Sequence, residues 1–268
     1  MTTLLKVRGL TRRFGGNLAV DHIDFDVQAG EILALIGPNG AGKSTTFNMI
    51  NGHLRATSGS VQFQGHEIVG MAAHKIVRLG IGRSFQVAAT FASMTVLQNV
   101  QMALIAARRR VFSFFAPADD FARGEAMDML DQVGMLPLAN HVCADLAYGD
   151  VKRLELAMSL AGNPRLLLMD EPTAGMAAAE RNALVALVKS IVRERNMGVL
   201  FTEHSMDVVF EHADRIIVLA RGRLIAQGSA AEIQAHPEVR RVYFGGTPGL
   251  VLEHTGIDAG RAGLGEAP

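Results

Sequence analysis

Apolar and polar residues follow two periods along this chain. Leu4 to Arg8 and Ile23 to Val27 alternate apolar and polar positions, as strands with one buried face do, and Gly15-Gly16 between them supplies a turn. Ser58 to Gly65 reads as a further strand between glycine turns, and Ile81 to Phe85 as another. Three runs are instead largely apolar: Glu31 to Ile36, Arg165 to Met169 with its Leu-Leu-Leu-Met core, and Gly198 to Phe201. Runs of that length and kind belong to strands buried on both faces, as in a parallel sheet. Helical stretches separate them. These are Lys43 to Met49, Met71 to Leu79 ending at Gly80, Gly149 to Ala161, Ala178 to Glu194 with Leu184, Leu187, Val188 and Ile191 on one stripe, and Ser205 to His212. Arg215–Leu219 and Arg223–Gln227 pair across Arg221-Gly222, and Ala230–Ala235 and Glu238–Phe244 are terminal helical pieces. Strand and helix in alternation predict an α/β fold around a parallel sheet.

The alternation breaks once. From about Val87 to Ala144 there is no convincing buried strand, only helical patterns at Thr95–Arg110 and Asp119–Val133 joined by a Phe- and Pro-containing loop, Val111–Pro117. This is a helical insertion in the strand–helix domain. Arg108, Arg109 and Arg110 end its first helix, where positive charge favours the helix dipole. No residue from Ser84 to Ala107 is charged, long enough to raise the question of a membrane span. Gln86, Thr90, Ser93, Thr95, Gln98, Asn99 and Gln101 break its apolar character, and no span is expected.

Composition narrows the field further. The 268 residues carry 26 basic and 26 acidic side chains, so no net charge directs the chain to nucleic acid. A single cysteine, Cys143, excludes a disulfide framework and reads as a buried, inert thiol. Lys6, Arg8, Arg12 and Arg13 interrupt the N-terminus, so no signal peptide is expected. The stretch from Gly245 is rich in Gly, Ala and Pro, has little to bury, and reads as a loose tail.

The chemistry starts at Gly37-Pro38-Asn39-Gly40-Ala41-Gly42-Lys43-Ser44-Thr45, which fits the phosphate-binding pattern G-x-x-x-x-G-K-[ST] between a buried strand and a helix start. Its glycines let backbone N–H groups converge on one point, and the helix that follows aims its unpaired N–H groups there too. Lys43 adds a full charge for the β- and γ-phosphates, and the Ser44 hydroxyl is a ligand for Mg²⁺. A nucleotide hydrolase also needs a carboxylate for the metal and a group that orients water. Asp170 and Glu171 follow a buried strand directly, at the end where ligands sit in an open α/β sheet. Asp170 suits the metal and Glu171 the water. His204, at the end of the neighbouring apolar strand, either donates a hydrogen bond to the γ-phosphate or is structural. Phe14 is read from the sequence alone as core, with an aromatic platform for a base as the alternative.

In order and spacing, the phosphate loop, Gln86, Asp170-Glu171 and His204 resemble the nucleotide-binding subunit of an ABC transporter, over nearly the whole length to about Gly245. Leu146-Ala147-Tyr148-Gly149-Asp150 stands where that family has the signature L-S-G-G-Q. Arg12-Arg13-Phe14-Gly15-Gly16, Met94 to Val100, Tyr148, Gly175-Met176, Pro237-Glu238-Val239 and Val242 to Gly245 are most similar to the ATPases of branched-chain amino acid importers. The resemblance implies a P-loop NTPase core of the ABC ATPase type with an antiparallel β subdomain and an inserted α-helical subdomain. Residues 1–245 would form the cassette, about 87–162 the insertion, and 246–268 a flexible tail. Two cassettes, alike or different, would face head to tail with two ATP molecules between them, each site completed by the partner's signature. Phe14 becomes the adenine platform. Gln86 joins the metal site to the groove for a permease coupling helix. A substrate-binding protein takes part indirectly, and the chain sits on the cytoplasmic face of the membrane through the permease.

Three positions depart from the family. Ala147 replaces the serine that would donate a hydroxyl to the partner's γ-phosphate. Losing a hydrogen bond to a charged group costs about 1.5–3 kcal/mol, and so slows turnover or weakens closure by about one to two powers of ten. Asp150 replaces glutamine and puts a negative charge near a phosphate site. Ala177 replaces an Asp or Asn that ties the two sites together. An active transport ATPase and a weakly hydrolysing half of an asymmetric dimer are therefore both consistent with the residues. Non-transport ABC ATPases are disfavoured by a single cassette with no heptad run.

Overall fold

The structure is a computed structural model and describes residues 2–84, 90–108 and 122–244. Gln86, Arg109, Arg110, the loop Val111–Pro117 and the tail 246–268 lie outside the described residues.

The three apolar runs form the centre. Strands β3 (Ile32–Ile36), β7 (Leu166–Asp170) and β8 (Gly198–Thr202) are buried at every position. They lie in a six-stranded sheet with β6 (Ile81–Ser84), β9 (Arg215–Ala220) and β10 (Arg223–Gly228), ordered β10-β9-β3-β8-β7-β6. All neighbours are parallel except β9 and β10, which form the hairpin expected across Arg221-Gly222. Because strand side chains alternate, each buried strand feeds two cores. Ile32, Ala34, Leu167, Met169, Val199 and Phe201 point to a core closed by helices; Leu33, Leu35, Leu166, Leu168 and Leu200 point to a core on the other face.

The second core is closed by an antiparallel sheet of β1 (Thr3–Phe14), β2 (Asn17–Gln28), β4 (Ser58–Phe63) and β5 (His66–Glu67), ordered β2-β1-β4-β5, and by helix α1 (Lys43–Ile50) through Phe47, Met49 and Ile50. Strands β1 and β2 are each 12 residues long, more than twice the alternating segments visible in the sequence. Their register shifts at several points, including between Val7 and Leu10 and between Leu10 and Arg12. Each bulge moves the following side chains to the opposite face, so alternation ends while pairing continues. β4 follows the sequence reading, and the short β5 was not visible in the pattern. Helix α2 (Ala73–Leu79) ends at Gly80, in the left-handed region at φ 107°.

On the other face lie α3 (Val96–Ala107) and α4 (Arg123–Gln132) of the insertion, α5 (Tyr148–Leu160), α6 (Ala178–Arg195) and α7 (Met206–His212). The terminal helices α8 (Ala230–Ala235) and α9 (Pro237–Phe244) add Ile233 and Val239 to the same core. The polar residues of the uncharged stretch have specific work there. Thr95 and Gln98 make a reciprocal capping box at the start of α3. Asn99 is fully buried, accepts from the Phe91 amide at 2.7 Å and donates to the carbonyls of Phe91 and Thr95. It stitches the segment before α3 onto the helix. Arg108, at the C-terminal end of α3, pairs with Glu125 of α4. Among the described residues no helix is long and apolar enough to cross a membrane.

Candidate functional site

The phosphate loop runs from the end of β3 into α1. Gly42 stands just before the helix at φ 106°, and Gly40 at φ 77°, both in the left-handed region. Gly42 has a second reason to be glycine: a Cβ there would come 2.7 Å from the Ala19 carbonyl oxygen of β2. Gly42→Val is expected to destabilise the protein by about 1–3 kcal/mol, from overpacking and backbone strain, read as a lower denaturation midpoint with an unchanged slope. Pro38, Asn39, Gly40 and Ser44 are exposed, Thr45 is half-buried, and Gly37 and Ala41 are buried. Lys43 is buried, and its ammonium donates to the carbonyls of Gly37 at 2.7 Å and Pro38 at 3.2 Å. Burial lowers its pKa, while the charges of Glu171 and Asp170 push the other way. The lysine head is thus held inside the loop it serves, facing both carboxylates.

Asp170 and Glu171 leave the end of β7 beside the end of β8. Thr202, the last residue of β8, donates its hydroxyl to Asp170 Oδ1 at 2.7 Å, and Arg83 of β6 reaches Asp170 Oδ2 at 3.4 Å. The Glu171 amide bonds back to the Thr202 carbonyl at 3.1 Å. Glu171 itself sits at φ 50°, in a region costly for a side chain, which turns its carboxylate off the strand. Its Oε1 lies 2.8 Å from His204 Nε2, and His204 is half exposed. Hence the structure brings together the three polar strand-end residues singled out in the sequence.

Thr202, Arg83 and Glu203 complete this cluster and were not singled out. Glu203 is 3% exposed. Only Thr202 carried a signal: a hydroxyl residue ending a buried apolar strand that neighbours an acidic one. The phenol of Tyr243, on α9, has its pKa raised by burial, with the nearby Gly37 backbone pushing the other way, so the C-terminal helix lies by the phosphate loop.

Phe14 ends β1 with 45% of its surface exposed, and the Arg12 guanidinium stacks 4.5 Å from its ring centre. The reading of Phe14 as core is therefore corrected: bulges carry the end of β1 beyond the sheet's buried face. The Leu146–Asp150 segment leads into α5, which starts at Tyr148, one residue before the sequence pattern places it. Ala147 occupies the capping position, and no side chain caps the helix. Asp150 lies in the first turn, where a negative charge suits the helix dipole. Tyr148 donates its hydroxyl to the Ala174 carbonyl at 3.0 Å. Ala177 precedes α6 with no polar side chain; its amide donates to Glu180 at 3.3 Å and its carbonyl accepts from the Arg181 amide. Cys143 is buried, as its sequence context suggests.

Residues 20–174 match the family model described as ABC transporter. The chain belongs to the ABC transporter family. Residues 223–247 of this cassette also match the model described as branched-chain amino acid ATP-binding cassette transporter. The cassette is 38% identical over 252 residues to the high-affinity branched-chain amino acid transport ATP-binding protein BraF of Pseudomonas aeruginosa, covering 90% of this chain and 98% of that protein. It is 37% identical over the same length and coverage to LivG of Escherichia coli strain K12, which carries the same description. Among solved structures it is similar to the ADP conformation of the ATP-binding cassette MJ1267, with a TM-score of 0.83 and 28% identity over 91% of this chain and 100% of that one. It is similar too to the dimeric post-hydrolysis state of the cassette MJ0796 bound to ADP and Pi, with a TM-score of 0.70 and 25% identity over 85% of this chain and 99% of that one. The fold is that of an ABC ATPase, and the chain is an ATP-binding cassette of the ABC transporter family.

Proposed function

We propose that this cassette hydrolyses ATP to drive import of branched-chain amino acids, or a related small solute, through a membrane permease. The observation that carries this is the convergence of Asp170, Glu171 and His204 at the ends of two adjacent strands facing the Lys43 ammonium. In this reading Gly37 to Thr45 cradle the phosphates, and the exposed Phe14 ring receives the adenine. Glu171 takes a proton from, or orients, the attacking water, and His204 holds Glu171 and the γ-phosphate in register. The exposed Ser44 hydroxyl and the Asp170 carboxylate are hard oxygen donors of the kind that fit Mg²⁺. These two residues would hold the ion, with Gln86 as a further ligand, and bound Mg²⁺ neutralises charge on the β- and γ-phosphates.

The partners follow from the same reading. A second cassette supplies Leu146 to Asp150 across the nucleotide, a permease sits above the helical insertion, and a substrate-binding protein delivers the solute. That assembly keeps the chain on the cytoplasmic face of the membrane. Residues 1–245 form the cassette, about 87–162 its insertion, and 246–268 a tail. The relatives BraF and LivG are described as branched-chain amino acid transport proteins, which supports the solute class.

A second reading has its own observation. Ala147 carries no hydroxyl, and α5 begins without a side-chain cap, so the trans half of each site relies on backbone donors. In that reading the chain binds ATP but turns it over slowly, beside a partner with a fuller signature. Steady-state ATPase assays of the purified subunit with its permease distinguish the two. Ala147→Ser with Asp150→Gln is expected to raise turnover about ten- to a hundredfold if the missing hydroxyl limits closure. An unchanged rate with robust wild-type turnover means that backbone donors suffice and removes the second reading.

A further inference from the structure

The proposed mechanism does not use the Glu203 carboxylate, which is 3% exposed. Glu203 lies between Thr202, which holds Asp170, and His204, which holds Glu171. Its Oε1 accepts two hydrogen bonds from Thr173, from the amide at 3.0 Å and the hydroxyl at 2.6 Å. Its Oε2 accepts from the His204 amide at 3.1 Å. Thr173 is 1% exposed, so this contact is closed to water. Glutamate at a strand end is ordinarily solvated, and burying one is costly unless its oxygens are filled by donors. Here the donors belong to the two segments that flank the proposed ATP site.

Together these bonds close a ring. Glu171 leads through Pro172 to Thr173; Thr173 bonds Glu203; Glu203 precedes His204; and His204 Nε2 returns to Glu171 Oε1 at 2.8 Å. The same loop is held a second time from outside, where the Tyr148 hydroxyl bonds the Ala174 carbonyl. Without the Glu203 link, the ends of β7 and β8 would keep the bonds of Thr202 to Asp170 and Glu171 and the His204–Glu171 contact, none of which reaches Thr173.

We propose that Glu203 is a positioning residue that locks Thr173 and His204 together and so fixes the Glu171–His204 pair in its reactive arrangement. The inference rests on the reading that this cassette hydrolyses ATP. A carboxylate is required because it offers acceptors only. Glutamine at 203 places its amide nitrogen against either the Thr173 N–H or the His204 N–H, donor facing donor in both orientations. Aspartate, one methylene shorter, does not span both partners.

The test uses the full chain with its permease and compares wild type, Glu203→Gln, Thr173→Val and the double variant. Glu203→Gln is expected to lower kcat about ten- to a hundredfold, the loss of a hydrogen bond to a charged group, while the KM for ATP stays within about twofold. The double variant should be less than additive, since both changes cut one link. Amide exchange at Thr173 and His204, followed by mass spectrometry in the nucleotide-free protein, should speed up in Glu203→Gln with the core strands unchanged. A wild-type kcat in folded Glu203→Gln, a fall in ATP affinity equal to the fall in kcat, or unchanged exchange at both amides overturns the proposal. Should wild type show no turnover that depends on Glu171, the hydrolysis reading fails separately. The exchange result then decides the lock by itself: faster exchange sustains it and unchanged exchange removes it.

Discussion

Glu171→Gln is expected to abolish steady-state ATP turnover while ATP still binds. General base or water-orienting groups contribute about 10²–10⁴ in rate, and a loss of that size is expected here in phosphate release assays. The substitution is chosen on structural grounds. Glutamine is isosteric, so the bond from His204 Nε2 to the position of Oε1, 2.8 Å in the present arrangement, can be retained. The unusual backbone at φ 50° is equally costly for both side chains, so stability should hardly change. What disappears is the negative charge and the capacity to take a proton. Because the Glu171 charge also supports the Lys43 ammonium, a small change in ATP affinity is expected, far below the change in rate. A Glu171→Gln protein within about threefold of wild-type turnover would remove this carboxylate from the chemistry and with it the hydrolysis reading.

The left-handed backbone of Glu171 shows what a sequence conveys and what it does not. That two carboxylates end a buried strand is legible, because Leu166 to Met169 can only be interior and charges that follow belong at the strand's C-terminal end, where ligands sit. That the second carboxylate turns off the strand to meet His204 depends on a residue 33 positions away. The same holds for Thr202 with Asp170 and for Glu203 with Thr173, pairs 32 and 30 positions apart. Local pattern has no access to such pairings; only the parallel register of β7 and β8 creates them.

Conversely, patterns that close within a few residues are legible in the sequence. The phosphate loop, the turn at Arg221-Gly222 and the stop at Gly80 all follow from local backbone demands. Thr95, Gln98 and Asn99 are an intermediate case. Their polarity argued against a membrane span, and their actual tasks, a cap and a stitched loop, need the three-dimensional fold. The β1–β2 pair failed for a different reason. Bulges break the alternation on which the reading depends, so only the regular cores of two long strands stood out, and Phe14 was drawn inward with them.

Lys43→Ala is expected to weaken ATP binding by about 3–5 kcal/mol, more than a hundredfold in Kd. Two effects add. The variant loses an ammonium that, in the free protein, is already confined within the loop by the Gly37 and Pro38 carbonyls, so little ordering is needed when phosphate arrives. It also removes a positive charge that acts on Asp170 and Glu171 as they face the phosphates. Folding should suffer less than binding, because a lysine whose burial already disfavours its charged form contributes little to stability. Thermal unfolding separates the two effects. ATP at about 100 times the wild-type Kd should stabilise wild type by about 2.7 kcal/mol and the variant by well under 1 kcal/mol, from similar unliganded midpoints. Lys43→Arg should bind poorly as well, since a planar guanidinium cannot take the place of a compact ammonium between two carbonyls of one tight loop. If Lys43→Ala binds ATP within about threefold of wild type, the phosphate cradle does not use this charge and the site must lie elsewhere in the fold.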